Sequence, residues 1–245
     1  MKFANLLFGG ALLGCLLPFS ACKREDPQAA AAAAAAQTAA NEQAANEAAS
    51  VFDDAVAKEN WALAKAQADV LLAYHPGTKA AQRVQAQFDA VKVKADAARE
   101  LQRTTALWSY NREPVKGGEQ LSAAIYAKDD VDIDGSGTKP VRLIFRDHPS
   151  WGRSAYLVLQ AGDFRCPGGC KVQATVDDAA PKAMVATRPD TDAAIAMFIE
   201  DERTLWRMTE NAKVVSIQFP VKPSGTRTAT FEVAGLDRSK LPQWN

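Results

Sequence analysis

Few residues in this chain have the types and spacing to do chemistry. Cys166 and Cys170 stand in the run Phe164-Arg165-Cys166-Pro167-Gly168-Gly169-Cys170. Pro-Gly-Gly is a tight-turn sequence, and a reversal there brings two thiols within bonding range in an oxidising compartment. A redox pair usually has two intervening residues at a helix start, and a zinc site needs further ligands where the chain has only His75 and His148. The expectation is a structural disulfide that pins a hairpin. The run Asp129-Asp130-Val131-Asp132-Ile133-Asp134-Gly135 resembles the first half of a calcium loop, in which alternate carboxylates such as Asp130, Asp132 and Asp134 converge on one hard cation. Counted from Asp130, the closing position holds Val141 rather than glutamate, so a solvated hairpin turn is the simpler reading.

Asp147-His148-Pro149-Ser150 gathers an acid, a base and a hydroxyl, but adjacent side chains on an extended segment point to opposite faces and are poorly placed for one relay. There is no Gly-x-Ser-x-Gly elbow, no His-Glu-x-x-His helix and no phosphate-cradling glycine loop. The expectation is a protein without catalysis or cofactor. Trp108, Tyr156 and Trp206 lie on apolar patterns and read as core, whereas Trp151 and Trp244 fall in loops. Trp151, Arg153 and Trp244 are the expected contact surface; the competing reading is that the two tryptophans cover the ends of the fold.

These residues must be positioned by three successive regions. Residues 22–43 are mostly alanine with Gln, Asn and Glu, and include the unbroken run Ala29 to Ala36. Such a segment cannot build a core and reads as a spacer, partly helical because alanine favours helix. Residues 44–106 show apolar stripes at three- and four-residue steps: Ala45, Ala48, Phe52, Ala55; Trp61, Ala64, Ala68, Leu71; Ala81, Val84, Phe88, Val91, Ala95, Ala98. They predict a helical hairpin or three-helix segment, with Tyr74-His75-Pro76-Gly77-Thr78 as a stop, turn and new cap.

Residues 107–245 switch to period two, as in Val172, Ala174, Val176 and in Val215, Ile217, Phe219. Ala229, Phe231 and Val233 alternate in the same way, and further strands are expected over 120–127, 141–147, 154–160 and 182–187. The run 193–199 is ambiguous, and a helix is expected over 201–211 with Leu205 and Trp206 facing inward. The whole is an α+β chain: a helical segment followed by an antiparallel β-sandwich with one helix.

The amino terminus sets the compartment. Lys2 precedes an apolar run from Phe3 to Phe19 that is too short and broken for a stable span, and Ser20-Ala21-Cys22 is followed by the charged run Lys23-Arg24-Glu25-Asp26. Residues 1–21 with Cys22 resemble the bacterial lipoprotein signal. The resemblance implies cleavage before Cys22, diacylglycerol on its sulfur and acylation of the new terminus, hence a firm membrane anchor through lipid. Lys23 in place of an aspartate favours the outer membrane by the same likeness, with the body facing the periplasm.

Asn60-Trp61-Ala62-Leu63-Ala64 through Leu72 and Pro76 looks like the second helix of a single tetratricopeptide unit. Trp108 with Tyr110, the helix entered at Asp201, the strand Lys213 to Phe219 and the closing Thr230-Phe231-Glu232-Val233-Ala234-Gly235-Leu236 are similar to the β-sandwich domain of periplasmic accessory proteins of secretion clusters, such as those of type VI systems. That likeness concerns fold and carries no catalytic residue.

Without residues 1–21 the chain holds 28 Lys plus Arg against 29 Asp plus Glu, a balance with no long-range pull on nucleic acid. The expected function is a non-enzymatic, lipid-anchored periplasmic binding or scaffold module with a periplasmic protein as partner. The alternatives are an inhibitor or immunity protein against a toxic enzyme, and an enzyme of unknown type.

Overall fold

The computed structural model describes residues 26–189 and 195–244. Cys22 and the signal segment lie outside the described residues.

Three helices come first: α1 (Pro27–Ala57), α2 (Trp61–Tyr74) and α3 (Lys79–Thr105). Each starts at a side chain that accepts from a first-turn N–H: Asp26 from Gln28, Asn60 from Leu63, and Thr78 from Ala81. The alanine-rich spacer and the first apolar stripe form one uninterrupted helix, so the compositional step at residue 44 falls inside α1. All of 26–40 is exposed, and burial begins where Ala45, Ala49, Phe52 and Ala55 meet α2 and α3. His75 Nδ1 lies 2.7 Å from Asn41 Oδ1, and Arg83 holds Asp53 through two 2.8 Å bonds, so α1 is tied to its neighbours at two levels.

With 27 residues against 14, α3 outruns α2 by roughly 20 Å. Its second half leaves the bundle, which is why Val93 and Leu101 are 69% and 56% exposed and Ala98, expected in the stripe, faces solvent. The far end of α3 docks on the second region. Arg103 bonds both Glu100 and Glu232 at 2.7 Å, and a Cβ on Gly235 would come within 2.5 Å of Thr105 N, so only glycine admits the helix end there.

The second region contains β1 (Trp108–Val115), β2 (Gly118–Tyr126), β3 (Val131–Asp132), β4 (Thr138–Lys139), β5 (Val141–His148), β6 (Gly152–Leu159), β7 (Cys170–Val176), β8 (Lys182–Thr187), β9 (Ala196–Ile199), α4 (Glu202–Met208), β10 (Val215–Pro220) and β11 (Thr226–Phe231). Nine strands form one antiparallel sheet in the order β1-β2-β5-β6-β9-β8-β7-β10-β11, and β3 with β4 makes a small separate ribbon. The layers expected of a sandwich are thus parts of a single sheet. It curls until Lys128, just past β2, donates to the Thr230 carbonyl of β11 at 2.7 Å.

The inner face is the period-two set. Val141, Leu143 and Phe145 of β5, Val172 and Ala174 of β7, and Val215, Ile217 and Phe219 of β10 share one core. Leu205 and Trp206 of α4 pack into it as expected. The ambiguous run resolves, over its described part, into strand β9.

Candidate interaction surface

The β5–β6 hairpin carries Asp147, His148, Ser150, Trp151, Arg153 and Tyr156 of the residues singled out from sequence. Its register pairs Asp147 with Arg153 and His148 with Gly152. Pro149, Ser150 and Trp151 form the tip, where Ser150 N–H donates to His148 Nδ1 at 3.1 Å. That bond and the stacking of Trp151 on the imidazole, with centroids 3.9 Å apart and planes 14° apart, account for the ring of His148, itself 7% exposed. No hydrogen bond joins Asp147 to His148 among the described residues.

Trp151 is 71% exposed. Arg146 places its guanidinium 5.4 Å from the centroids of both Trp151 and Tyr156, and Tyr156 in turn lies 5.1 Å from Phe198. Strand parity explains this ribbon. Arg146 is one step from inward Phe145, and Tyr156 and Phe198 are cross-strand partners on β6 and β9, so all three project from the outer face. Tyr156, expected in the core, is half-buried on that outer face. Each cation–π contact contributes about 0.5–1 kcal/mol at an exposed site, which favours this orientation of the rings.

Arg153 is half-buried and donates through Nη1 to the Gln243 carbonyl at 2.6 Å. Trp244 departs from expectation: at 5% exposure it is core, not contact surface. Two 3-10 turns, Arg238–Lys240 and Pro242–Trp244, fold the chain end back over the sheet. They insert the indole edge-on against Phe145 at 5.4 Å and beside Trp206 at 5.1 Å.

The other candidates hold local roles. Cys166 and Cys170 form a disulfide with Cα atoms 5.1 Å apart at the entry to β7, where Gly168 and Gly169 adopt φ of +67° and +104° to make the reversal. Asp132 and Asp134 accept from the Gly135 and Ser136 N–H groups at 2.8 and 3.0 Å, making the β3–β4 loop a side-chain-stabilised turn. The bonds from Ser136 hold the Asp134 carboxyl below its ordinary pKa. Among the described residues no three His, Cys, Asp or Glu side chains gather in a way that could hold a metal ion. Ile133 anchors the loop to the core.

Sequence reading missed a group of arginines near Arg153. Arg203 and Arg207 of α4 and Arg238 of the C-terminal turns line a cleft with it, together with Glu210 and the rings of Trp206 and Trp244. The (i, i+4) spacing of Arg203 and Arg207 was visible, but Arg153 and Arg238 join them only through the fold.

No helix among the described residues is long and apolar enough to cross a membrane. No family model and no curated protein matches the chain. Among solved structures, it is similar to the crystal structure of invasion associated protein B from Bartonella henselae, with 13% identity and a TM-score of 0.39 over 56% of this chain and 91% of that chain.

Proposed function

We propose that the protein is a non-enzymatic binding module, anchored by lipid on Cys22 to the periplasmic face of the outer membrane, which presents the β5–β6 hairpin and its outer face to a periplasmic protein. The observation that carries this reading is Trp151, 71% exposed yet held in one orientation by His148 and Arg146. A large aromatic immobilised before binding loses little entropy on contact, which is the property of an interface anchor. The Cys22 resemblance supports the compartment, and the exposed first turns of α1 support the view that the body stands off from whatever lies ahead of Pro27.

The test is crosslinking and affinity capture from intact cells with the full chain, beside Cys22→Ser and Trp151→Ala forms. A defined protein recovered with the native form, and lost on Trp151→Ala while the thermal melt is unchanged, supports the reading. Equal recovery with Trp151→Ala removes the hairpin from the interface, and equal recovery with Cys22→Ser removes the need for the anchor.

A further inference from the structure

The outer face of the sheet over β2, β5, β6 and β9 carries three cross-strand rows. Tyr126, Arg142, Val158 and Ala196 stand in register in the first. Ala124, Ile144, Tyr156 and Phe198 form the second, and Ser122, Arg146 and Ser154 the third. An apolar row is thus flanked on each side by one guanidinium, and both guanidiniums come from β5. Arg142, Ile144 and Arg146 follow one another at two-residue steps, so the two charges stand roughly 13 Å apart along the strand.

Both arginines lie against aromatic rings. Arg142 is 5.1 Å from the Tyr126 centroid, and Arg146 is 5.4 Å from those of Tyr156 and Trp151. Contact with a ring spends no N–H donor in a hydrogen bond, so the guanidinium fork stays available to a second partner. Arg146 gives its Nε to Ser154 Oγ at 3.2 Å, while Arg142 makes no side-chain hydrogen bond and its Nε is buried without an acceptor. Neither arginine forms an ion pair among the described residues. Glu113 of β1 and Glu200, just past β9, stand at the borders of this face, and Glu200 accepts from Thr187 Oγ1 at 2.5 Å. Asp147, next to Arg146, has the opposite parity on β5. Around Arg142 the face dips into a cleft of about 520 Å³ with Tyr126, Val158 and Ile195 as apolar walls, and no carboxylate among the described residues lines it.

We propose, on the footing that the β5–β6 hairpin is an interface, that this face takes an extended acidic segment of the partner protein, in which two carboxylates four residues apart flank an apolar side chain. Along an extended chain the side chains at i, i+2 and i+4 share one side at about 3.3 Å per residue, the same repeat as Arg142, Ile144 and Arg146. One carboxylate meets Arg146, and the apolar side chain lies on the row of Ile144 and Tyr156. The other carboxylate enters the cleft, where Tyr126 is exposed and free to shift with Arg142, and supplies the acceptor that Arg142 Nε lacks. Charge-assisted guanidinium–carboxylate bonds are the stronger kind, and a buried donor left without an acceptor is costly. A uniformly anionic surface such as a bilayer would also meet Glu113 and Glu200, which a narrow segment passes between.

The probe is a short capped peptide in which two glutamates four positions apart flank a leucine, titrated by fluorescence anisotropy into the full-length protein in detergent micelles. The expected result is saturable binding that weakens by roughly tenfold or more when both glutamates become glutamine, and likewise in Arg142→Gln/Arg146→Gln. The glutamine peptide leaves the protein untouched, so that loss reads charge and not folding. Absence of binding, equal binding of the glutamine peptide, an affinity the arginine substitutions do not change, or equal binding of a peptide with its glutamates adjacent would each overturn the proposal. So would co-sedimentation of the Cys22→Ser form with phosphatidylglycerol vesicles that Arg142→Gln/Arg146→Gln abolishes, since that marks a lipid surface. Capture from intact cells separates this site from the hairpin anchor. Recovery lost with Trp151→Ala but kept with Arg142→Gln/Arg146→Gln overturns the acidic segment and leaves the hairpin in place. Recovery indifferent to Trp151→Ala, beside selective peptide binding, removes the hairpin anchor and supports the acidic site.

Discussion

In the helical bundle the buried positions are mostly alanine: Ala45, Ala49, Ala55, Ala64, Ala68, Ala80 and Ala81 surround Phe52, Leu71, Val84 and Val91. In the sheet region Phe145 alone contacts three indoles, Trp108, Trp206 and Trp244, with centroids between 5.0 and 6.4 Å. Hydrophobic stabilisation scales with apolar area removed from water, so an alanine contributes a small fraction of what a buried aromatic does. The bundle therefore depends more on helix propensity and on its caps, while the sheet depends on a few large side chains. One region is stabilised by many small equal contributions and the other by a concentrated cluster.

The most damaging way to probe that contrast is Phe145→Ala, which leaves a cavity under the three indoles and is expected to cost about 3–5 kcal/mol. Tryptophan fluorescence and near-ultraviolet circular dichroism should lose their transition at a lower temperature, while helical ellipticity from the bundle melts nearly as before. Simultaneous loss of both signals would show that the docking of α3 couples the regions into one unit. Next is Cys166→Ala/Cys170→Ala. The bridge closes a loop with a sequence separation of 4, and short loops give little chain-entropy stabilisation, so the loss is about 2 kcal/mol by urea denaturation and falls on the sheet signal.

The smallest effects separate the two regions by their caps. Thr78→Ala removes the acceptor for Ala81 N–H at the start of α3 and should cost about 1 kcal/mol at any pH, since a hydroxyl does not titrate there. Asp201 caps α4 with a carboxylate whose pKa is lowered by its bond from Thr204. A group with a folded pKa below its unfolded value adds stability that is present above the unfolded pKa and lost as pH falls through the folded one. Asp201→Asn should therefore flatten the acid limb of the sheet's stability curve below the ordinary carboxylate range and leave the bundle's curve unaltered.

Strands with one wet face were legible because inward and outward residues alternate. The stretch expected at 182–187 coincides with β8, and those at 141–147 and 154–160 depart from β5 and β6 by two residues at most. The edge strand β1 was not legible as a strand, since a strand with one neighbour and mostly exposed residues, Asn111 to Pro114 among them, shows no alternation to read. Trp244 was misplaced because a terminal tryptophan among polar residues reads as loop; its three-residue step from buried Leu241 was the available clue. The outward place of Tyr156 follows from the parity of β6, where Ala155, Leu157 and Leu159 point inward; Tyr156 and Val158 between them are apolar too, so the run has no polar alternation to say which set faces out. The arginine cleft lies at the limit of sequence reading, because Arg153 and Arg238 are far apart in the chain and meet only after the C-terminal turns fold back.

The unbroken course of α1 through the alanine run has an angular consequence. A flexible tether would fix only distance, but along an α-helix each added or deleted residue shifts what precedes it by about 1.5 Å and also turns it by about 100°. Removing two alanines from 29–36 would swing whatever is attached ahead of Pro27 to nearly the opposite side of the body, whereas removing seven would restore almost the same heading at a shorter standoff. The length of the alanine run thus acts as a phase setting, determining at which azimuth around the rod whatever precedes Pro27 stands relative to the sheet.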